Sequence, residues 1–154
     1  MKFNYRPHRD KKDSLHAPPS YRPVIPARII GLRSSAVVSG LLDTGSEATL
    51  FDESYISLLD VHIKAGDEEV FQAADGTRFL VSFGMIDIEL ATPRRRTVHR
   101  WSARVGFMKR PKGAGSLFGH EGFLEYFSAS FHGPELRVTL TPIPPLPLAC
   151  MPVK

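Results

Sequence analysis

Between residues 22 and 142 the apolar residues of this chain come in short runs. Glycine, proline and an Asp-Gly pair break them, which suits strands joined by tight turns and leaves little room for long helices. The series opens with residues 22–31. Ala36-Val37-Val38 and Gly40-Leu41-Leu42 give a second strand, apolar on both faces and therefore expected to be buried. Val70 to Ala74 runs into Asp75-Gly76 and returns through Thr77 to Phe83, the pattern of a hairpin. Met85, Ile86, Ile88 and Leu90 continue as strand, and Val98 to Phe107 places Trp101, Ala103, Val105 and Phe107 on one face. Ser128–Phe131 and Leu136–Leu140 read as a closing hairpin around His132-Gly133-Pro134. Helical spacing is confined to Phe51, Tyr55, Leu58 and Leu59, with Asp52 as cap, and to a short helix through Gly122–Phe127. The expected fold class is mostly β with one or two short helices.

A length of 154 residues fits one domain and leaves no room for two lobes of about 100 residues each. With 42% apolar and 23% charged residues, wholesale disorder is excluded. No run of about 18 apolar residues exists, so no membrane span or membrane partner is expected. Lys2, Arg6 and Arg9 are not followed by an apolar core, which argues against a secretory signal and for a cytoplasmic location. The lone Cys150 agrees, having no partner for an internal disulfide. Residues 1–20 are expected as a flexible basic arm, 21–142 as the folded domain and 143–154 as a proline-rich tail. Charge is segregated. Residues 1–33 hold eight Lys/Arg and two acids, residues 40–89 eleven acids and two bases, and residues 90–120 eight bases and no acid. Such blocks are solvated faces, or they neutralise one another across the fold or a dimer.

Chemistry is concentrated in Leu41-Leu42-Asp43-Thr44-Gly45-Ser46, where an apolar strand delivers an acid into a tight turn lined with hydroxyls. Gly45 permits a close turn, and Thr44 and Ser46 can hydrogen-bond backbone or carboxylate. As an isolated tripeptide, Asp-Thr-Gly is an ordinary Asx turn. It is accompanied, in order, by the acidic hairpin around Gln72–Thr77, by Leu117-Phe118-Gly119, by Glu-Gly-Phe-Leu-Glu-Tyr-Phe, by Ser-Ala-Ser-Phe-His, and by a Leu-Arg-Val-Thr-Leu-Thr-Pro ending.

In that order and spacing, over residues 21–142, the chain resembles the retropepsin family, single-lobed aspartic proteases, and in its C-terminal part the bacterial members. The resemblance implies a closed β-barrel-like fold that acts as a symmetric homodimer, with one Asp43 from each protomer at the two-fold axis. It implies Thr44, Gly45 and Ser46 as positioning residues, with Thr44 hydrogen-bonding across the axis and Ser46 donating to the catalytic carboxylate. Ala73, Ala74, Asp75 and Gly76 would form the tip of a flap over an extended polypeptide substrate, and Leu117, Phe118 and Gly119 the apolar-apolar-Gly element that crosses near the Asp loop. Two carboxyls about 3 Å apart cannot both ionise and share one proton, as established for aspartic proteases. One activates water, the other protonates the substrate carbonyl, and no cofactor or metal is required. An optimum on the acid side follows. The sequence departs from the family at His120, where an arginine is usual; His120 either pairs with Glu47 in its place, or caps the following helix or faces solvent.

Two other readings stay open. One keeps the dimeric fold as a peptide-binding module without turnover; retention of Asp43 argues against it. The weaker one is a basic nucleic-acid-binding β domain, since Arg94-Arg95-Arg96, Arg100, Arg104, Lys109, Arg110 and Lys112 lack interleaved aromatics. The six histidines show no metal-ligand spacing.

Overall fold

A computed structural model describes residues 1–8, 18–73, 75–92, 97–110, 114–144 and, by backbone alone, 151–152. The strands in chain order are β1 (Lys2–Asn4), β2 (Arg6–His8), β3 (Ser20–Arg22), β4 (Val24–Ile30), β5 (Ser35–Leu42) and β6 (Leu50–Asp52). Helix α1 (Ser54–Leu59) follows, then β7 (Ile63–Gln72), β8 (Arg78–Ala91), β9 (Thr97–Met108) and β10 (Ser116–Phe118). A 3-10 turn at Leu124–Tyr126 leads to β11 (Phe127–His132), β12 (Arg137–Pro142) and β13 (Met151–Pro152). The protein is thus mostly β, as its alternating runs dictate. No helix among the described residues is long and apolar enough to cross a membrane.

An eight-stranded sheet has the order β13-β9-β6-β10-β5-β4-β8-β7, with β8 also pairing β9. In β4, Ile25, Ala27 and Ile29 point inward while Pro26 and Arg28 face out. Pro26 precedes the stretch Arg28–Ile30 that pairs with β8, so its missing N–H removes no ladder bond on that side. β8 serves two cores. Ile86, Ile88 and Leu90 enter the main cluster around Trp101, Phe107, Phe118 and Phe123, whereas Val81 and Phe83, of opposite parity, enter a smaller one with Ala48 and Leu50. β9 buries Trp101, Ala103, Val105 and Phe107 on one face, as the alternation predicts. Trp101 Nε1 donates to the Gly122 carbonyl at 2.9 Å, which satisfies the only polar atom of a buried indole.

The N-terminal segment differs from the expected arm. β1 pairs with β12, and β2 pairs with β3. The Met1 amino group donates to the Leu140 carbonyl at 2.5 Å, the Leu140 amide donates back to Met1, and Phe3 is buried in the main core. The burial of one aromatic and a backbone ladder outweigh the polar composition. Residues 9–17 and 145–150 of the expected arm and tail lie outside the described residues. The helix expected through Gly122–Phe127 is shorter than the pattern suggested, one 3-10 turn whose Leu124 and Glu125 amides bond to the Gly119 and His120 carbonyls. The positive φ of Gly122 and the aromatic packing of Phe123 on Phe118 and Trp101 interrupt regular helix there. The expected helix from Phe51 splits into β6 and α1, because Leu50–Asp52 pairs with β9. The N-cap position falls on Glu53 rather than on the expected Asp52, and it makes no side-chain cap bond. Asp52, one residue earlier, closes an Asx turn with its Oδ1 accepting from the Ser54 amide at 3.0 Å.

The segregated charges neutralise one another across the fold. Asp87 accepts from Arg100 at 2.7 Å and from the Ser102 hydroxyl. Burial works against ionisation of Asp87, but the Ser102 and Arg100 bonds outweigh it and hold the carboxyl below its ordinary range. Such a carboxyl adds stability above its unfolded pKa of about 3.9, and that stability is lost as pH falls through the lower folded value. Urea unfolding at about pH 7 and about pH 2 should show a smaller acid loss for Asp87→Asn than for the wild type. Equal losses would refute this assignment.

Candidate active site

The loop bearing Asp43 is held by backbone on both sides. β10 lies parallel to β5, pairing Leu117 with Leu41 and Phe118 with Leu42, and the Asp43 amide extends that ladder by donating to the Phe118 carbonyl at 3.1 Å. The Ser46 amide closes a turn onto the Asp43 carbonyl at 3.2 Å, and the Gly45 amide donates to Asp43 Oδ1 at 3.0 Å. One oxygen of the half-buried Asp43 carboxylate is therefore oriented by a backbone dipole. No cation is ion-paired to it among the described residues. Thr44, Gly45 and Glu47 are exposed around it.

Ser46 does not play the part expected of it. Its hydroxyl donates to the Ala48 carbonyl at 2.8 Å and braces the loop, while the Gly45 amide is the donor to the carboxylate. The Glu47–His120 ion pair is likewise absent among the described residues. His120 Nε2 lies 3.2 Å from the Thr44 carbonyl, its amide donates to the Ser46 carbonyl at 3.0 Å, and the Glu47 carbonyl accepts the Glu121 amide at 2.8 Å. His120 thus joins the apolar-apolar-Gly element to the Asp loop through backbone oxygens rather than through a carboxylate.

Gly119 is required by close approach. A Cβ there would lie 2.6 Å from the Ala48 carbonyl carbon and 2.7 Å from the Ser46 carbonyl oxygen, and closer still to the Ala48 oxygen. Gly40 makes room one layer below, where a Cβ would lie within 2.6 Å of three atoms of the Phe118 ring. Gly45 is less constrained, since its Cβ would meet only Asp43 Oδ1, at 3.3 Å.

The hairpin forms as the Asp-Gly signal predicts, with Gln72 opposite Arg78. Ala73, Asp75 and Gly76 build its tip: the Gly76 amide donates to Ala73, the Ala73 amide to Thr77, and the Thr77 amide to Asp75 Oδ1 at 2.9 Å. The bonds from Thr77 hold the Asp75 carboxyl below its usual range. Ala74 lies outside the described residues. Phe71 and Phe79 stack at 6.3 Å, and together with Met108 and Leu117 they pack against the cluster of Ala48, Leu50, Val81 and Phe83. The inner face of the hairpin and the element beside the Asp loop therefore share one apolar patch.

Of the basic candidates, Arg100 and Arg104 are engaged by acids, Lys109 is exposed, and Arg94–Arg96 and Lys112 lie outside the described residues. A groove of about 1010 Å³ lies elsewhere, between residues 2–6 and the outer face of β4 and β5, with Lys2, Arg6, Arg28 and Glu89 among its lining residues. Among the described residues no group of three or more His, Cys, Asp or Glu side chains could hold a metal ion. Compared with models of known protein families the chain matches none, and no curated protein matches it.

Proposed function

We propose that this chain is an aspartic endopeptidase of retropepsin-like architecture, acting as a symmetric homodimer on extended polypeptides. The observation that carries the reading is the Asp43 loop itself. A carboxylate with one backbone amide donor sits at the end of β5, which buries Val38 and Leu42 but leaves Val37 exposed rather than being buried on both faces as its composition suggested. The loop is locked through Gly119 and His120 to the Leu117-Phe118-Gly119 element, beside an apolar patch shared with a hairpin. A closed barrel is supported by the circuit of pairings from β9 through β6, β10, β5, β4 and β8 back to β9.

One chain supplies one such carboxylate, so the chemistry needs a second copy. In the dimer the two Asp43 carboxyls face each other across a water and share one proton. The ionised carboxylate takes a proton from the water as the water oxygen attacks the scissile carbonyl carbon. The protonated carboxyl gives its proton to the carbonyl oxygen, and a neutral gem-diol forms. Collapse breaks the C–N bond, a carboxyl returns a proton to the leaving nitrogen, and the other carboxyl recovers one from the gem-diol hydroxyl. The Gly45 amide fixes the direction of the carboxylate oxygen that it touches. The hairpin would cover the substrate and offer main-chain hydrogen bonds.

Digestion of an unstructured peptide library from about pH 4 to about pH 8 tests the proposal. Cleavage is expected to peak on the acid side, and specific activity to rise with protein concentration until the dimer saturates. A maximum above neutrality, or activity per chain that is independent of concentration with a monomer in sedimentation, would overturn it.

A further inference from the structure

Arg104 stands where three parts of the molecule meet. It is on β9, on the face opposite Trp101 and Val105, with its guanidinium 3.7 Å from the centroid of the Phe83 ring. Nη2 donates to Asp67 Oδ1 at 2.7 Å and to Glu69 Oε1 at 2.9 Å, both on β7. Nη1 donates to Glu121 Oε1 at 3.2 Å. Glu121 is bridged to Ala48, its carbonyl accepts the Thr49 amide at 2.9 Å, and its own amide binds Glu47. A single side chain thus joins the strand leading into the hairpin to the segment that carries Asp43.

The chemistry suits arginine alone. Three carboxylates converge on one cation, and without it they would repel one another. A planar fork reaches acceptors on two sides while its face rests on an aromatic ring, which a lysine ammonium cannot do at once. The arginine side chain is 31% exposed, and the carboxylates keep the guanidinium firmly charged. Isolated surface pairs contribute little, but a network of this kind with fixed geometry does more.

We propose that Arg104 is a positioning residue for the Asp43 site, fixing the base of the 63–83 hairpin against the Asp loop and thereby setting how the hairpin closes over a polypeptide. The inference rests on the peptidase reading, and Arg104 itself touches no reacting atom.

Two variants test it. Asp67→Asn/Glu69→Gln cuts the hairpin side and leaves the Glu121 and Phe83 contacts, whereas Arg104→Lys removes the fork but keeps the charge. Amide hydrogen exchange should accelerate about tenfold, about 1.4 kcal/mol, at residues 68–82 in both variants. In Arg104→Lys it should also accelerate at Thr49 and Glu121, while residues 127–142 keep wild-type rates in both. For peptide cleavage, KM should rise about tenfold with kcat within about twofold of wild type. Unchanged exchange in the hairpin, equal acceleration throughout the chain, or a fall in kcat at constant KM would overturn the proposal. A wild type that cleaves nothing defeats the peptidase reading, and the exchange pattern still decides whether Arg104 couples hairpin and loop.

Discussion

Asparagine at position 43 is expected to abolish peptide cleavage without unfolding the protein. The only hydrogen bond to the Asp43 side chain in the loop is the Gly45 amide to Oδ1 at 3.0 Å, and an asparagine Oδ1 accepts the same bond. The strand ladder below and the Ser46 turn use backbone atoms that the substitution leaves alone. What disappears is a group that can take and return a proton. In a dimer both copies are lost together, so the rate should fall by about 10⁴-fold or more, the upper range for general acid–base catalysis. Peptide hydrolysis at the wild-type optimum, thermal unfolding and sedimentation read the three parts separately. A variant that retains more than about a tenth of wild-type cleavage would show that Asp43 is not the general acid–base group.

Gly119→Ala should combine the largest loss of stability with a loss of activity. The new Cβ would press on the carbonyls of Ala48 and Ser46, which are backbone atoms and cannot swing aside like a flexible side chain. Overpacking of this kind costs about 3 kcal/mol. The displacement would pass into the Asp loop, because the His120 amide and ring hold the Ser46 and Thr44 carbonyls. Gly133→Ala is the matched control, since nothing lies within 4 Å of its Cβ, and it should stay within about 0.5 kcal/mol of wild type. Urea midpoints for both variants check this; equal values would mean that β10 and the loop are looser than the contact implies.

The strands were legible in the sequence where one face is buried and the other is not. Trp101, Ala103, Val105 and Phe107 announce β9 by parity alone, and Asp75-Gly76 announces the hairpin. What escaped is held by long-range pairing. β1 is three residues long with exposed Lys2 and Asn4, and only its ladder with β12 and the burial of Phe3 make it a strand. Leu50–Asp52 fits a helical pattern equally well until β9 and β10 claim it. At the site, the Asp43 turn and the closeness of the apolar-apolar-Gly element were readable, as were the small residues at the hairpin tip. The partner of the Ser46 hydroxyl and the direction of His120 were not, because several acceptors lie within a few residues of each. Arg104 belonged to a basic run with no local mark; its convergence on Asp67, Glu69 and Glu121 is set by the long-range placing of β7 and of the turn after β10 beside β9.

Among the described residues, β8 beyond Ser82 pairs with no strand but β7, and β7 pairs with no strand but β8. The outer hairpin is therefore a cantilever with its fulcrum near Ser82. From there to Gly76 the arm is roughly 20 Å at about 3.3 Å per residue, so tilting its root by about 10° swings the tip through roughly 3.5 Å. In the proposed peptidase, travel of that size is what admitting or releasing a threaded chain would need, with every rung of the arm intact.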